Sequence, residues 1–258
     1  MSVLETRDLT FSHDQPVLNG VDLAVAAGER LAILGANGSG KSTLLKLLAG
    51  AWQPQSGTVL LDDTPMEYTR RGRDHVRRNV QLVLQEPDEQ IFATTVAEDV
   101  SFGPVNMGLE ESDVDKRVRE ALATCEITGL ADRVPHQLSY GQRKLVALAG
   151  ALAMQPRVLL LDEPTAGLDP VASDRLLATL LQLNDAGTTI VISTHEIDFA
   201  YAFAASVGVL VDGTIRSGDR TLLTDPSLLA AARLRPPWAP LVSEKIGKAV
   251  ERVEDLLG

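Results

Sequence analysis

A lysine and two hydroxyl side chains close a run of glycines in Gly35-Ala36-Asn37-Gly38-Ser39-Gly40-Lys41-Ser42-Thr43. The spacing fits the pattern G-x-x-x-x-G-K-[ST], which binds nucleotide phosphates. Glycines let backbone N–H groups converge on an anion without Cβ clashes. A helix starting here adds a favourable dipole. Lys41 then reaches the β- and γ-phosphates, and the Ser42 hydroxyl ligates Mg²⁺. Further candidates lie downstream. Asp162 ends the apolar run Val158–Leu161 and suits a Mg²⁺ shell. Glu163, one residue on, can orient or deprotonate a water aimed at the γ-phosphate. His195 follows another apolar run and can hydrogen-bond a γ-phosphate oxygen. The Gln85 side-chain oxygen can complete the Mg²⁺ shell. Ser139 and Gly141, before a helical pattern, offer a hydroxyl and an N–H to a second anion site. One glycine loop plus a second, separate anion site suggests a phosphate sandwiched between two subunits.

These residues need strands and helices to hold them. Arg30–Leu34 reads as a buried strand before the glycine loop. Leu44, Leu45, Leu47 and Leu48 give a helical face that Gly50 can end. Residues 1–34 read as short strands with turns at Gly20 and Gly28, and 58–61 and 80–84 as two more strands. Helical periodicity dominates from about residue 94 to 154, with Ser112 the N-cap of one helix. Val158–Asp162 is again a buried strand. Pro170 opens a helix that Gly187 closes, and 189–193 form the next strand. Val207–Val211, Asp212-Gly213 and Thr214–Arg216 predict a hairpin. The alternation predicts an α/β core with a mostly parallel sheet plus a helical sub-domain. Near the C-terminus, Val242, Ile246, Ala249, Val250, Val253 and Leu257 are read as one helical face.

The chain has 258 residues, enough for a sizeable core. Lys and Arg total 24 against 35 Asp and Glu, a net charge of −11, which argues against broad binding to nucleic acid or an anionic bilayer. Arg70, Arg71, Arg73, Arg77 and Arg78 form one local basic patch, read as a solvated surface. The single cysteine, Cys125, excludes an internal disulfide and a Cys-based zinc site. No stretch approaches the roughly 20 apolar residues of a membrane span, and the first residues lack the marks of a signal peptide. The expectation is a cytosolic chain, or one held at a membrane through a partner.

Taken together the motifs resemble the ATP-binding cassette (ABC) family over about residues 1–220. Gly35–Thr43 resembles the Walker A loop, with Asn37, Gly38, Ser39, Gly40, Lys41, Ser42 and Thr43 binding nucleotide, and Gln85 the Q-loop. Leu138-Ser139-Tyr140-Gly141-Gln142 is similar to the signature motif. Val158–Asp162 with Glu163 resembles Walker B and the catalytic glutamate, Gly167-Leu168-Asp169 the D-loop, and His195 the H-loop. The resemblance implies a P-loop NTPase (RecA-like) α/β core with an N-terminal antiparallel β part and a helical signature-motif sub-domain at about 90–155. It implies a nucleotide-binding domain over 1–220 and a C-terminal helical extension over 221–258. It also implies a head-to-tail dimer with ATP and Mg²⁺ at the interface. Ser139, Gly141 and Gln142 of one subunit would face the other's nucleotide, and Ser42, Gln85 and Asp162 would hold the metal.

Gln85–Phe92 and Thr95–Pro104 resemble the energy-coupling-factor importers, and Ala149–Met154 with Ser193–Asp198 the cobalt-type ATPase subunit. This implies ATP hydrolysis powering import of cobalt or nickel ions, with a vitamin such as biotin, or a soluble ABC ATPase not linked to transport, as alternatives. The implied partners are a second ATPase subunit (a homodimer is favoured), a transmembrane coupling subunit and a substrate-binding membrane subunit, without nucleic acid. They would hold the chain at the cytoplasmic face of the membrane. Asp88 and Glu89 match the acidic residues that grip the coupling subunit. Two positions depart from the family. Tyr140 replaces the first glycine of the signature motif, and His13 occupies the adenine-stacking aromatic position, with Phe11 two residues before it.

Overall fold

The computed structural model describes residues 2–250 and Asp255. Residues 1–66 and 191–258 belong to one compact unit and residues 67–190 to another. In chain order the first segment gives β1 (Ser2–Ser12), β2 (Pro16–Ala26), β3 (Arg30–Leu34), α1 (Lys41–Leu48), β4 (Ser56–Leu61) and β5 (Thr64–Pro65). The middle unit gives α2 (Arg70–Asn79), β6 (Val80–Val83), α3 (Val96–Asn106), α4 (Glu111–Thr124), α5 (Tyr140–Ala153), β7 (Val158–Asp162) and α6 (Pro170–Asp185). The chain leaves that unit through β8 (Thr189–Thr194). It ends with α7 (Ile197–Phe203), β9 (Ser206–Val211), β10 (Thr214–Asp219), α8 (Pro226–Ala231) and α9 (Trp238–Ile246).

In the first unit, β2, β1, β4 and β5 make an antiparallel sheet in that order. Alternation along β1 and β2 buries Leu4, Leu9, Leu18, Val21 and Val25. β3 pairs in parallel with β9, and β9 pairs antiparallel with β10. Leu31, Ala32, Ile33 and Leu34 of β3 are all buried, the continuous apolar pattern of a strand covered on both faces. The hairpin turn has Asp212 at φ 47° and Gly213 at φ 78°, the double positive φ of a type I′ turn. The Gly213 carbonyl accepts from Asn19 N at 2.7 Å, fastening the turn to β2. In the middle unit, β6 and β7 pair in parallel, while α3, α4 and α5 pack on one another and bury Val100, Val118, Leu122 and Val146. The fold is thus mixed α/β with an antiparallel β part and a helical part.

Four local expectations fail. β1 and β2 are two strands of 11 residues, not several short ones. Gly20 is no turn between them: it sits inside β2 at φ 68°, where the β1–β2 register slips, so its left-handed backbone serves a bulge. Ser112 does not cap α4, because the chain turns into the helix two residues earlier and Glu110 takes the cap at ψ 149°. The C-terminal helical face stops short: Gly247 at φ 66° closes α9. Ala249 and Val250 lie past that stop, and Val250 N turns back to donate to Ser243 Oγ at 2.9 Å. Val253 and Leu257 lie outside the described residues.

Candidate functional site

The glycine loop runs from the end of β3 to α1, as its sequence requires. Gly35, Gly38 and Gly40 have φ of 157°, 78° and 104°. A Cβ at Gly35 would stand 2.6 Å from Ser39 Oγ and 2.7 Å from the Leu210 carbonyl oxygen, and one at Gly40 2.9 Å from Val17 Cγ1. Space and dihedral both demand glycine there, which leaves the loop amides at the mouth of α1. The Lys41 ammonium folds over the loop, donating to the carbonyls of Gly35 at 2.9 Å and Ala36 at 3.3 Å. Ser39 Oγ is buried and has no hydrogen-bond partner among the described residues. An orphaned hydroxyl, convergent N–H groups and an ammonium fit a phosphate chain. Ser42 and Thr43 lie in the first turn of α1, and Thr43 is buried.

His195 follows β8 and is exposed. It lines, with Ala36, Asn37, Asp198, Arg233 and Trp238, a cavity of about 440 Å³. The structure therefore brings His195 and the glycine loop to one cavity. His13 is exposed at the end of β1 and lies edge-on to Phe11 (5.1 Å) and to Trp52 (5.3 Å). Phe11 and Trp52 stack at 5.4 Å, with Lys46 Nζ 4.8 Å above Trp52. The adenine candidate is thus one member of a three-ring cluster.

The middle unit holds the remaining candidates. Asp162 ends β7, and both it and Glu163 are 5% exposed. Glu163 has φ 44°, a left-handed backbone that costs a non-glycine residue about 1–3 kcal/mol and persists only where the surroundings enforce it. Lys144, also buried, donates from Nζ to the carbonyl of Glu163 at 2.7 Å and to that of Pro164 at 3.2 Å.

Ser139 caps α5 in a capping box: its hydroxyl accepts from Gln142 N, and Gln142 Oε1 accepts from Ser139 N. Accepting leaves the Ser139 O–H proton to donate elsewhere. The cap uses Gln142 Oε1, and Ser139, Gly141 and Gln142 line a cavity of about 680 Å³ with Leu168, Asp169 and Val171.

Tyr140 is a tie between loops. Its hydroxyl donates to the Gln85 carbonyl at 3.2 Å and lies 3.3 Å from Glu86 Oε2. Partial burial, then the Glu86 carboxylate, push the phenol above its ordinary value, so it stays a donor. Arg143 Nε lies 2.8 Å from Asp88 Oδ1. The loop after β6 is therefore held from α5 at two points. Gln90 also fixes it, accepting from Leu84 N and donating to the Leu82 carbonyl, as does Asp99, which accepts from Phe92 N and Ala93 N.

The ABC transporter family pattern matches residues 18–166, more than half of the chain. The chain belongs to the ABC transporter family. It is 49% identical over 239 residues to the cobalt import ATP-binding protein CbiO of Rhodobacter capsulatus, covering 91% of this chain and 85% of that protein. It is 44% identical to the energy-coupling factor transporter ATP-binding protein EcfA of Methanocaldococcus jannaschii, covering 96% and 90% of the two. Among solved structures it is similar to cbiO1 of Clostridium perfringens, described as part of the transporter complex cbiONQ, with a TM-score of 0.80, 37% identity and 95% and 99% coverage. As a member of this family the chain binds ATP, and its ATPase activity is coupled to transport.

Sequence reasoning missed Trp52, Lys144, Gln90 and Asp99. Trp52 carries a signal in hindsight, an aromatic just past a helix that follows a glycine loop. Lys144 carries none, because its partners lie 19 and 20 residues away in sequence.

Proposed function

We propose that the chain is the ATP-hydrolysing subunit of a membrane importer of the energy-coupling-factor type, with cobalt or nickel ions as cargo. The observation that carries the ATP half is the glycine loop, with its enforced glycines, its orphaned Ser39 hydroxyl and its Lys41 ammonium. The cargo half is supported by the likeness to the cobalt import protein and to cbiO1. A second reading, an importer for a vitamin, is favoured by the likeness to EcfA, whose name carries no metal. Uptake of cobalt rather than biotin by cells carrying the complete importer separates the two.

In this reading the loop amides and Lys41 bind the β- and γ-phosphates, and the ring cluster at His13 receives the adenine. Among the described residues no three His, Cys, Asp or Glu side chains gather to hold a metal alone. A hydroxyl, an amide oxygen and one carboxylate, from Ser42, Gln85 and Asp162, suit a hard cation that keeps phosphate and water ligands. Mg²⁺ held there would neutralise charge on the phosphates as the bond to the γ-phosphoryl group breaks. Glu163 orients and deprotonates the attacking water, and His195 holds a γ-phosphate oxygen. The Ser139 O–H and the Gly141 N–H, supplied by a second copy, close the site, so that catalysis is chiefly positioning and charge stabilisation.

No helix among the described residues is long and apolar enough to cross a membrane. Attachment at the cytoplasmic face then runs through a transmembrane coupling subunit. The surface that suits it combines Phe92, Phe102 and Val105, each more than half exposed, with the arginines of α2. Phe92 and Phe102 meet edge to face at 4.7 Å beside a cavity of about 930 Å³ lined by Arg70, Arg71, Arg77 and Arg78. Asp88 and Glu89 are both exposed, and Asp88 is also paired with Arg143.

The test is Glu163→Gln. The variant is expected to bind ATP, to accumulate as an ATP-bound dimer and to lose phosphate release. Equal phosphate release by the variant and the unaltered chain would refute the role of Glu163.

A further inference from the structure

We propose that Lys144 is a positioning residue for the hydrolytic step, acting through the backbone of Glu163. The proposal rests on the reading of Glu163 as the residue that activates water. Four observations carry it.

The first is that Glu163 leaves β7 in a left-handed conformation, at φ 44°. The Cα–Cβ direction of Glu163 depends on both φ and ψ, and whatever holds the peptide after Glu163 restrains ψ and so helps aim the carboxylate. The second is the geometry of that peptide. The Glu163 carbonyl accepts from Lys144 Nζ at 2.7 Å and from Ala166 N at 3.1 Å, and the Pro164 carbonyl accepts from the same ammonium at 3.2 Å. One cation thus bridges two successive carbonyls at the turn.

The third is burial. Lys144 is 7% exposed and Glu163 5% exposed. A buried ammonium is costly unless its hydrogen bonds are strong, and low local dielectric strengthens those it makes. The fourth is the element that carries the lysine. Lys144 sits five residues after Ser139 on α5, the helix whose first turn would meet the nucleotide of a second copy. A change in that contact therefore has a direct mechanical route to Glu163 of the same chain, through one side chain.

The experiment is a double-mutant cycle with Lys144→Met and Glu163→Gln in the full-length chain. It is read by steady-state and single-turnover phosphate release from Mg·ATP and by binding of a fluorescent ATP analogue. Methionine keeps the unbranched stem and removes the donors. Lys144→Met is expected to lower kcat by about 10- to 100-fold, the scale of a small misplacement of a reacting group, with KM for ATP and analogue affinity within about twofold. In the Glu163→Gln background the same substitution is expected to change the residual rate by less than about twofold, since residues that act as a unit are non-additive. Lys144→Gln retains a shorter neutral donor and is expected to fall between lysine and methionine. It also stands in for Lys144→Met in the cycle if the methionine variant does not fold.

An equal fold-loss from the Lys144 substitution in both backgrounds overturns the proposal. So does a raised KM with kcat unchanged. Phosphate release by Glu163→Gln alone at the unaltered rate removes the premise instead, which separates failure of the Glu163 reading from failure of the Lys144 one.

Discussion

Replacing Gly167 by alanine tests whether Tyr140 and the Gly167 turn are one mechanical unit. Gly167 has φ 76°, and a Cβ there would stand 2.6 Å from Tyr140 Cε1 and 2.9 Å from Cδ1. Two costs follow. The left-handed backbone charges an alanine about 1–2 kcal/mol, and overpacking the ring adds about 1–3 kcal/mol. Gly167→Ala should therefore destabilise the middle unit by about 2–5 kcal/mol in the unaltered chain. In a Tyr140→Ala background the ring is gone and only the backbone cost of about 1–2 kcal/mol remains. The coupling between the two positions is then about 1–3 kcal/mol. Both tryptophans, Trp52 and Trp238, lie outside residues 67–190, so fluorescence would miss the event. Urea unfolding followed by far-ultraviolet circular dichroism, with hydrogen exchange across residues 163–170, reads it. If alanine at 167 costs the same in both backgrounds to within about 0.5 kcal/mol, the ring contact carries no energy and the reasoning fails.

Three further outcomes are expected. Burial pushes the Cys125 thiol from its ordinary 9.0 up to about 12, so in the folded chain it should resist a thiol reagent at pH 8 and react, one thiol per chain, only after unfolding. Because the folded value is raised, the associated stability is full below pH 9 and declines as pH rises from 9 toward 12, which alkaline denaturation would detect. Phe92→Ser with Phe102→Ser should leave ATP hydrolysis by the isolated chain unchanged and abolish co-purification with the membrane subunit. Retained co-purification would show that this exposed pair is not the docking surface.

What could be read from the sequence was local. The β3–loop–α1 segment, the buried run of β7 and the Asp212-Gly213 turn each carry their whole explanation within one continuous stretch of chain, in hydrophobic period and glycine placement. The same locality misled at Gly20, where a positive φ serves a bulge inside a strand rather than a turn. It misled again past Ile246, where an apolar period continued beyond a glycine that stops the helix. Tyr140 was recognisable as a departure, but its partner Gln85 lies 55 residues earlier, beyond any periodic signal. Lys144 carries no local signal, because its burial and its two carbonyl partners depend on a turn 19 and 20 residues further along the chain.

The interrupted first unit has a consequence for synthesis on the ribosome. β3 finds its parallel partner β9 only after residues 67–190 have emerged. At about 5–20 residues per second those 124 residues take about 6–25 s. Throughout that interval Leu31, Ala32, Ile33 and Leu34 present an apolar strand without its β9 edge, a target for pairing with another nascent chain. The middle unit, contiguous in sequence, has no such wait.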